Sequence, residues 1–321
     1  MTREQLHDIE FFRGDAGDNV AVLATIAEPA QPPLVTARAT GEACHGALFD
    51  AAVATAARAD HRYRAAGLPF SGGALLLRAA DLAGHRSLIT KVGTSLRERG
   101  LRFLPDGGLG AGDLALLRGA PGATDEVGEL ARWTALGTFV AIERLVVDRL
   151  GKPLAGAAVI VEGLGAVGMA LCELLDAAGA LLQVADPRRE RVRQATLLFH
   201  AAPLVPSRVR TAVADILAPC TPERPLTAAD AAALNVRIIV GAADGQLADA
   251  DTAAALGARG ILWAPDHLVN AGAAIAAAMS MRGRDRTAIE AGVRAIADRV
   301  AAALPDREAP TAIAGRRLVR A

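Results

Sequence analysis

Lysine is almost missing from this chain. Only Lys91 and Lys152 occur in 321 residues, so chemistry that needs a lysine has two places to find one. The alanine-rich composition that accompanies this scarcity fits a GC-rich bacterial genome. Charge of one sign is missing too. The 35 basic and 35 acidic residues cancel, which removes the electrostatic footprint expected of a nucleic-acid partner. No run is apolar enough to span a membrane, and the N-terminus, MTREQLHDIEFF, lacks the pattern of a signal peptide. Cysteine is scarce: Cys44, Cys172 and Cys220 form an odd, widely spaced set. They suggest a reducing cytoplasm and buried thiols, not a disulfide framework. No His, Cys and carboxylate set has metal-ligand spacing, so no metal is expected. There is no G-x-S-x-G and no other evident Ser/His/Asp arrangement.

What is present is concentrated between Ala157 and Asp186, AAVIVEGLGAVGMALCELLDAAGALLQVAD. Ala157 to Val161 has the length and β-branched content of a buried strand. Gly163, Gly165 and Gly168 follow in G-x-G-x-x-G spacing, with Ala166 and Val167 between the last two. An amphipathic run to about Ala178 reads as a helix, and Leu181 to Ala185 as a second strand. Asp186 closes that strand and Pro187 follows it. The first glycine permits the tight turn, the second lets backbone approach a pyrophosphate, and the third lets helix and strand pack closely. The helix N-terminus offers unpaired N–H groups and the positive dipole end to the phosphates. Asp186 is placed to accept from a ribose 2′-hydroxyl. Strand, helix, second strand and terminal acid agree, so the stretch predicts dinucleotide binding; the plain alternative is a Gly-rich turn that only packs. Asp186 favours NAD over NADP, because a carboxylate repels a 2′-phosphate. Arg188 and Arg189 lie beside it. The preferred reading makes them solvated charges opening a helix; the other lets an arginine hold that phosphate.

The chain is long enough for two domains with ordinary cores. Asn19 to Ile26 and Leu34 to Arg38 read as strands, Gly46 to Ala66 as a long helix and Leu75 to Arg78 as a short strand after a Ser71-Gly72-Gly73 turn. His85 to Arg99 has helical periodicity, Arg102 to Leu104 resembles a strand, and Pro105 to Gly112 reads as a Gly-rich loop. Gly119 to Glu129 reads as a linker, and Thr134 to Leu150 as a strong helix. Further strands are expected at Pro203 to Val205, Ala214 to Leu217, Arg237 to Val240 and Gly260 to Trp263, separated by helical segments as in a parallel doubly wound sheet. Helical runs at Ala271 to Met281 and Arg286 to Leu304 end the pattern, and 305–321 reads as a loose tail. The expected fold class is therefore α/β in two domains. Residues 1–130 form an N-terminal α/β substrate and oligomerisation domain, and 131–284 a doubly wound Rossmann domain. Residues 285–321 form a C-terminal helix returning toward the first domain.

Several stretches together resemble the glutamate/leucine/phenylalanine/valine dehydrogenase family, nearest the leucine dehydrogenase type. AAGLPFSGGALLL (65–77) is similar to its substrate loop and LPDGGLGAG (104–112) to its catalytic loop. Trp133-Thr134-Ala135 with Gly137 resembles its helix beside the nicotinamide. Asp215-Ile216 with Ala218-Pro219-Cys220, then GAADGQL (241–247) and PDHLVNAGAA (265–274), resemble its later strand ends. The resemblance implies a substrate domain, a Rossmann domain and catalysis between them. It also implies interconversion of an L-amino acid with its 2-oxo acid and ammonia using NAD(P), and a homo-oligomer that is at least a dimer. It implies cofactor contacts at Thr134, at Ala243 and Asp244, where the family has an asparagine at the second position, and at Asn270.

Three departures stand where the resemblance implies the reaction's charged groups. The lysine that holds the substrate carboxylate is Ala74. The lysine that activates water is His85, or Arg86 with a one-residue shift. The proton-transferring aspartate is Gly108. The family's Gly-Gly in the preceding strand is Val35-Thr36. Without a cation at position 74 a buried substrate carboxylate loses about 2–5 kcal/mol. Loss of a general base costs about 10²–10⁴ in rate. Lys91 does not replace it: on one helix it points about 120° away from His85. His85 is the leading candidate proton carrier, because its ordinary pKa lies near neutrality; otherwise it is a solvated helix-end histidine. Asp106 is the candidate displaced carboxylate, against its reading as a turn former. Asp113 is a second such acid, and Arg38 a candidate anion contact, against its preferred reading as one arm of a surface salt bridge. The sequence thus supports an NAD-dependent oxidoreductase with a remodelled substrate site acting on an amino acid, imine or oxo compound. The alternative is a catalytically silent dinucleotide-binding scaffold or regulatory homologue.

Overall fold

The structure, a computed structural model, describes residues 6–13, 19–26, 31–41, 45–78, 86–119, 126–221 and 224–304. His85, Cys44 and the tail 305–321 lie outside them. The chain divides into two compact units, 1–129 and 130–321. The segment 285–304, expected as a separate third part, is counted within the second unit. Among the described residues no helix is long and apolar enough to cross a membrane.

The first unit holds β1 (Leu6–Arg13), β2 (Asn19–Ile26), β3 (Pro33–Thr40), α1 (His45–Ala65), β4 (Ser71–Arg78), α2 (Arg86–Glu98), β5 (Arg102–Pro105) and α3 (Ala111–Arg118). Its sheet runs β1-β2-β4-β3-β5. The β1–β2 and β2–β4 pairs are antiparallel, and β3 pairs in parallel with β4 and β5. Alternation along the strands gives each face its own core. Val22, Ala24, Ala74 and Leu76 face Leu48, Ala52 and Ala56 of α1. Leu23, Val35, Leu75 and Leu77 face Ile89, Val92 and Leu96 of α2 and Leu114 and Leu117 of α3.

Ser71-Gly72-Gly73 is strand, not turn. A Cβ on Gly72 would lie 2.1 Å from the Ala56 carbonyl oxygen, so the glycine lets the sheet lie against the α1 backbone. Asp60 of α1 then accepts the Gly72 N–H at 3.0 Å. Two more elements escape the sequence reading. β1 carries no alternation strong enough to announce it. α3 begins inside the stretch read as a Gly-rich loop, because Asp113 accepts the Gly110 N–H at 2.9 Å and so starts a helix.

The second unit opens in α4 (Glu126–Leu145), which begins inside the expected linker and ends in a π-helical turn, Val146–Leu150. Then come β6 (Ala158–Glu162), α5 (Ala166–Ala177), β7 (Leu181–Ala185), α6 (Arg189–Phe199), β8 (Ala202–Pro203) and β9 (Ile216–Pro219). After them come α7 (Ala228–Ala233), β10 (Ile238–Ile239), α8 (Ala250–Ala258), β11 (Leu262–Trp263), α9 (Asp266–Val269), α10 (Gly272–Ser280), α11 (Arg286–Arg294) and α12 (Ile296–Ala303). All six strands are parallel, in the order β11-β10-β9-β6-β7-β8. The chain leaves β6 in one direction through β7 and β8, then returns to its other side at β9. That reversal makes the β6/β9 junction the switch point where doubly wound sheets bind ligands. Ile160, Leu217, Leu226, Leu234, Ile239 and Leu256 form one of its apolar layers.

One position in this unit is set against its residue type. His200 ends α6 with φ +52° and is 89% exposed on its side chain. Left-handed backbone is costly for a residue with a Cβ. His200→Gly is expected to raise stability by about 0.5–1 kcal/mol, read as a shift of the urea midpoint at unchanged slope.

Candidate dinucleotide site

The site is built at the carboxyl ends of β7, β6, β9 and β10. After Glu162 the chain turns at Gly163, whose φ of +98° only glycine adopts without strain. Its N–H donates to the Ala185 carbonyl at 2.8 Å, which ties the turn to the end of β7. α5 then starts directly over the turn. A Cβ on Gly168 would lie 2.0 Å from the Gly163 carbonyl oxygen, so this close approach requires glycine. Gly165 is the N-cap and carries no side-chain cap. At this end Met169 N–H donates to the Gly165 carbonyl at 3.0 Å, which closes the first turn of α5. The N–H groups of Ala166, Val167 and Gly168 therefore precede the helical ladder at the positive end of the dipole. Nothing but Arg191 Nη1, at 4.0 Å, comes within reach of a Cβ placed on Gly165. An open, uncapped helix start over a glycine turn suits a phosphate pair.

Asp186 is 8% exposed. Its Oδ2 accepts the Leu164 N–H and its Oδ1 the Arg188 N–H, each at 2.8 Å. The acid thus fixes the turn, and each oxygen keeps a lone pair for a further donor. Pro187 and Arg188 are exposed beside it.

Neighbouring strand ends are stitched together in series. Cys220 N–H donates to the Glu162 carbonyl at 2.7 Å, and Ala243 N–H to the Pro219 carbonyl at 2.9 Å. The β10 loop carries Asp244, whose Oδ1 accepts from Asn270 Nδ2 at 2.5 Å. Thr134 belongs to the same neighbourhood, because Gly272 of α10 packs onto the backbone of Trp133 and Thr134. Its hydroxyl donates to the Leu130 carbonyl at 3.2 Å. Desolvation pushes the Cys172 and Cys220 thiols up, so neither is a ready thiolate.

Sequence reasoning missed what holds the β10 loop. Gln246 is buried and donates to the Gly241 and Ala243 carbonyls at 2.7 and 3.2 Å. Asp266 Oδ2 accepts the Gly245 and Gln246 N–H groups at 2.6 and 3.2 Å. Only a signal about tertiary contacts identifies such residues, and the P-D pair at 265–266 gives just a helix start. Burial alone raises the Asp266 carboxyl, but the His267 side chain and these N–H groups outweigh it and hold it below its ordinary value. Its contribution is therefore complete above the ordinary carboxylate pKa and is lost as pH falls through the lowered one. Asp266→Asn is expected to cost about 1–3 kcal/mol at pH 7. The gap from wild type should close as urea unfolding is repeated at pH values descending through the carboxylate range.

The first unit treats its candidate residues differently. Ala74 is fully buried among the apolar side chains under α1. Gly108 has φ +86°, and a Cβ there would lie 2.8 Å from Ala39 Cβ. Asp106 Oδ1 accepts the Gly107 N–H at 2.8 Å, the contact of a turn former. Val35 is buried in the core toward α2, and Thr36 Oγ1 lies 3.5 Å from the buried Tyr63 hydroxyl. Arg38 is half-buried and Lys91 exposed.

No family model matches the chain. An L-tryptophan dehydrogenase of Nostoc punctiforme is 34% identical over 166 residues, 51% of this chain and 47% of that protein. A leucine dehydrogenase of Bacillus cereus is 31% identical over 169 residues, 52% of this chain and 46% of that protein. The chain thus matches about half the length of these curated relatives. The crystal structure of L-tryptophan dehydrogenase from Nostoc punctiforme superimposes with a TM-score of 0.74 and 25% identity, covering 98% of this chain and 94% of that one. Sequence over half the chain and fold over nearly all of it are thus similar to amino-acid dehydrogenases.

Proposed function

We propose that the protein is an NAD-linked oxidoreductase of the amino-acid dehydrogenase type with a remodelled substrate site. The observation that carries this reading is the turn from Gly163 to Asp186. Its uncapped α5 start, open Gly165 and buried acid suit the pyrophosphate and ribose of a nicotinamide dinucleotide. The α5 N–H groups would hold the phosphates, and Asp186 would accept a ribose hydroxyl. The Asp244–Asn270 pair and Thr134 would orient the nicotinamide end. When bound, that cofactor supplies or accepts the hydride.

The substrate is proposed to be an imine or oxo compound, not the usual amino acid. Ala74 under α1 supports this, because the position is fully buried among apolar side chains and carries no cation to hold a substrate carboxylate. Gly108 supports it as well, since at φ +86° any side chain would start with its Cβ 2.8 Å from Ala39 Cβ. Imine reduction adds a hydride to carbon and one proton to nitrogen, and it needs no hydrolytic water. His85 is assigned the proton and Asp106 an auxiliary role. A cytoplasmic homo-oligomer, at least a dimer, completes the reading.

The same two positions favour one second reading, a dinucleotide-binding homologue without turnover. NADH oxidation against a panel of preformed imines and oxo compounds separates the two. The proposal expects turnover with an imine or oxo compound that falls about 10²–10⁴-fold in His85→Ala, and little with a 2-oxo acid plus ammonia. NADH binding with no turnover on any member supports the second reading. Efficient reductive amination of an ordinary 2-oxo acid contradicts both.

A further inference from the structure

We propose that Arg191 gives this chain a 2′-phosphate subsite, so that it takes NADP(H) as well as NAD(H). The inference rests on the dinucleotide reading above and concerns which cofactor that turn accepts. A lone carboxylate at the end of β7 repels a 2′-phosphate, and Asp186 in isolation argues for NAD. It is not isolated. Arg191 Nη1 lies 4.0 Å from Asp186 Oδ2, and the same atom lies 4.0 Å from the Cβ position of Gly165. One guanidinium therefore stands over both the ribose acid and the phosphate turn. At that separation the cation offsets the field of the carboxylate. Both Asp186 oxygens also accept backbone N–H groups from inside the fold, which spreads their charge away from the ribose side.

The start of α6 adds to this. Arg188 is its N-cap and provides no side-chain cap. Arg189 and Arg191 lie in the first turn with a single acid, Glu190. Cations at the positive end of a helix oppose the dipole, and an anion bound there reverses that penalty. The Arg191 side chain is 37% exposed, so it reaches solvent while its end stays beside Asp186. Arginine also matches phosphate geometry with two donors at once. Of the arginines after Asp186, Arg188 and Arg189 are exposed, whereas Arg191, two residues beyond Arg189 in α6, brings its guanidinium beside the acid.

The test is calorimetric titration of the full chain with NADH, NADPH and adenosine 2′,5′-bisphosphate, in wild type, Arg191→Ala and Arg191→Lys. The expected result is NADPH binding within about tenfold of NADH. Arg191→Ala should weaken NADPH and the bisphosphate about ten- to hundredfold while changing NADH less than about threefold. Arg191→Lys should recover part of that loss. NADPH binding should also fall more steeply with added salt than NADH binding does. NADH binding with NADPH excluded, or equal losses for both in Arg191→Ala, overturns the proposal and leaves the dinucleotide reading intact. Binding of neither cofactor overturns both.

Discussion

Replacing Arg210 with methionine is expected to destabilise the second unit by about 3–5 kcal/mol. Arg210 and Glu162 form a buried ion pair, 7% and 4% exposed, with Nη1 donating to Oε2 at 2.6 Å. Arg210 Nη2 also donates to the Arg224 carbonyl at 3.2 Å, and Nε lies 3.4 Å from Asp230 Oδ1. Glu162 is the last residue of β6, immediately before the Gly163 turn. Among the described residues its other oxygen has only Arg224 Nη1 as an ion-pair neighbour, at 3.7 Å. Removing the guanidinium leaves a dehydrated carboxylate beneath the candidate site. The pair itself contributes less than this loss suggests, because taking two charges from water offsets much of their attraction. Glu162→Gln with Arg210→Met should therefore recover most of the stability. A double-mutant cycle by urea unfolding measures the coupling. A single Arg210→Met variant within about 1 kcal/mol of wild type would show that solvent reaches the pair.

The second large effect separates folding from binding within one turn. Gly168→Val places a Cβ on the Gly163 carbonyl oxygen, 2.0 Å away. It should cost about 1–3 kcal/mol of stability through overpacking and displace the turn. Gly165→Val meets no such obstacle. Its φ of −68° and ψ of −170° suit a residue with a side chain, and its nearest neighbour is a flexible arginine end at 4.0 Å. The folded state should tolerate it. The new side chain would instead stand where the pyrophosphate has to meet the α5 N–H groups. Losing two charge-assisted bonds at about 1.5–3 kcal/mol each weakens binding about a hundredfold or more. Gly168→Val is thus expected to lower both stability and affinity, and Gly165→Val affinity alone.

The sequence made the nucleotide half legible because its signals are local. β7 coincides with the apolar run Leu181–Ala185, and the glycine spacing locates the turn to the residue. The strands after β9 are shorter than read, since only Ile238–Ile239 and Leu262–Trp263 pair in parallel with neighbours. In the other half the informative contacts are long-range. Gly72 looks like a turn residue until the α1 backbone is seen against it. Asp113 looks like a loose acid until it starts α3. Arg191 belongs to no motif, and Gln246 lies in the stretch 241–247 without a role that the stretch itself announces. They matter through atoms contributed by Asp186, Gly241 and Ala243, which composition and periodicity do not bring together.

The most direct test of the account is calorimetric titration of NADH into wild type and Gly165→Val, with circular dichroism and urea unfolding on both. The account predicts saturable binding of one NADH per chain in wild type, and a loss of about a hundredfold or more in the variant at unchanged stability. No binding to wild type, or equal binding to both, would mean that the Gly163–Asp186 turn does not hold a dinucleotide.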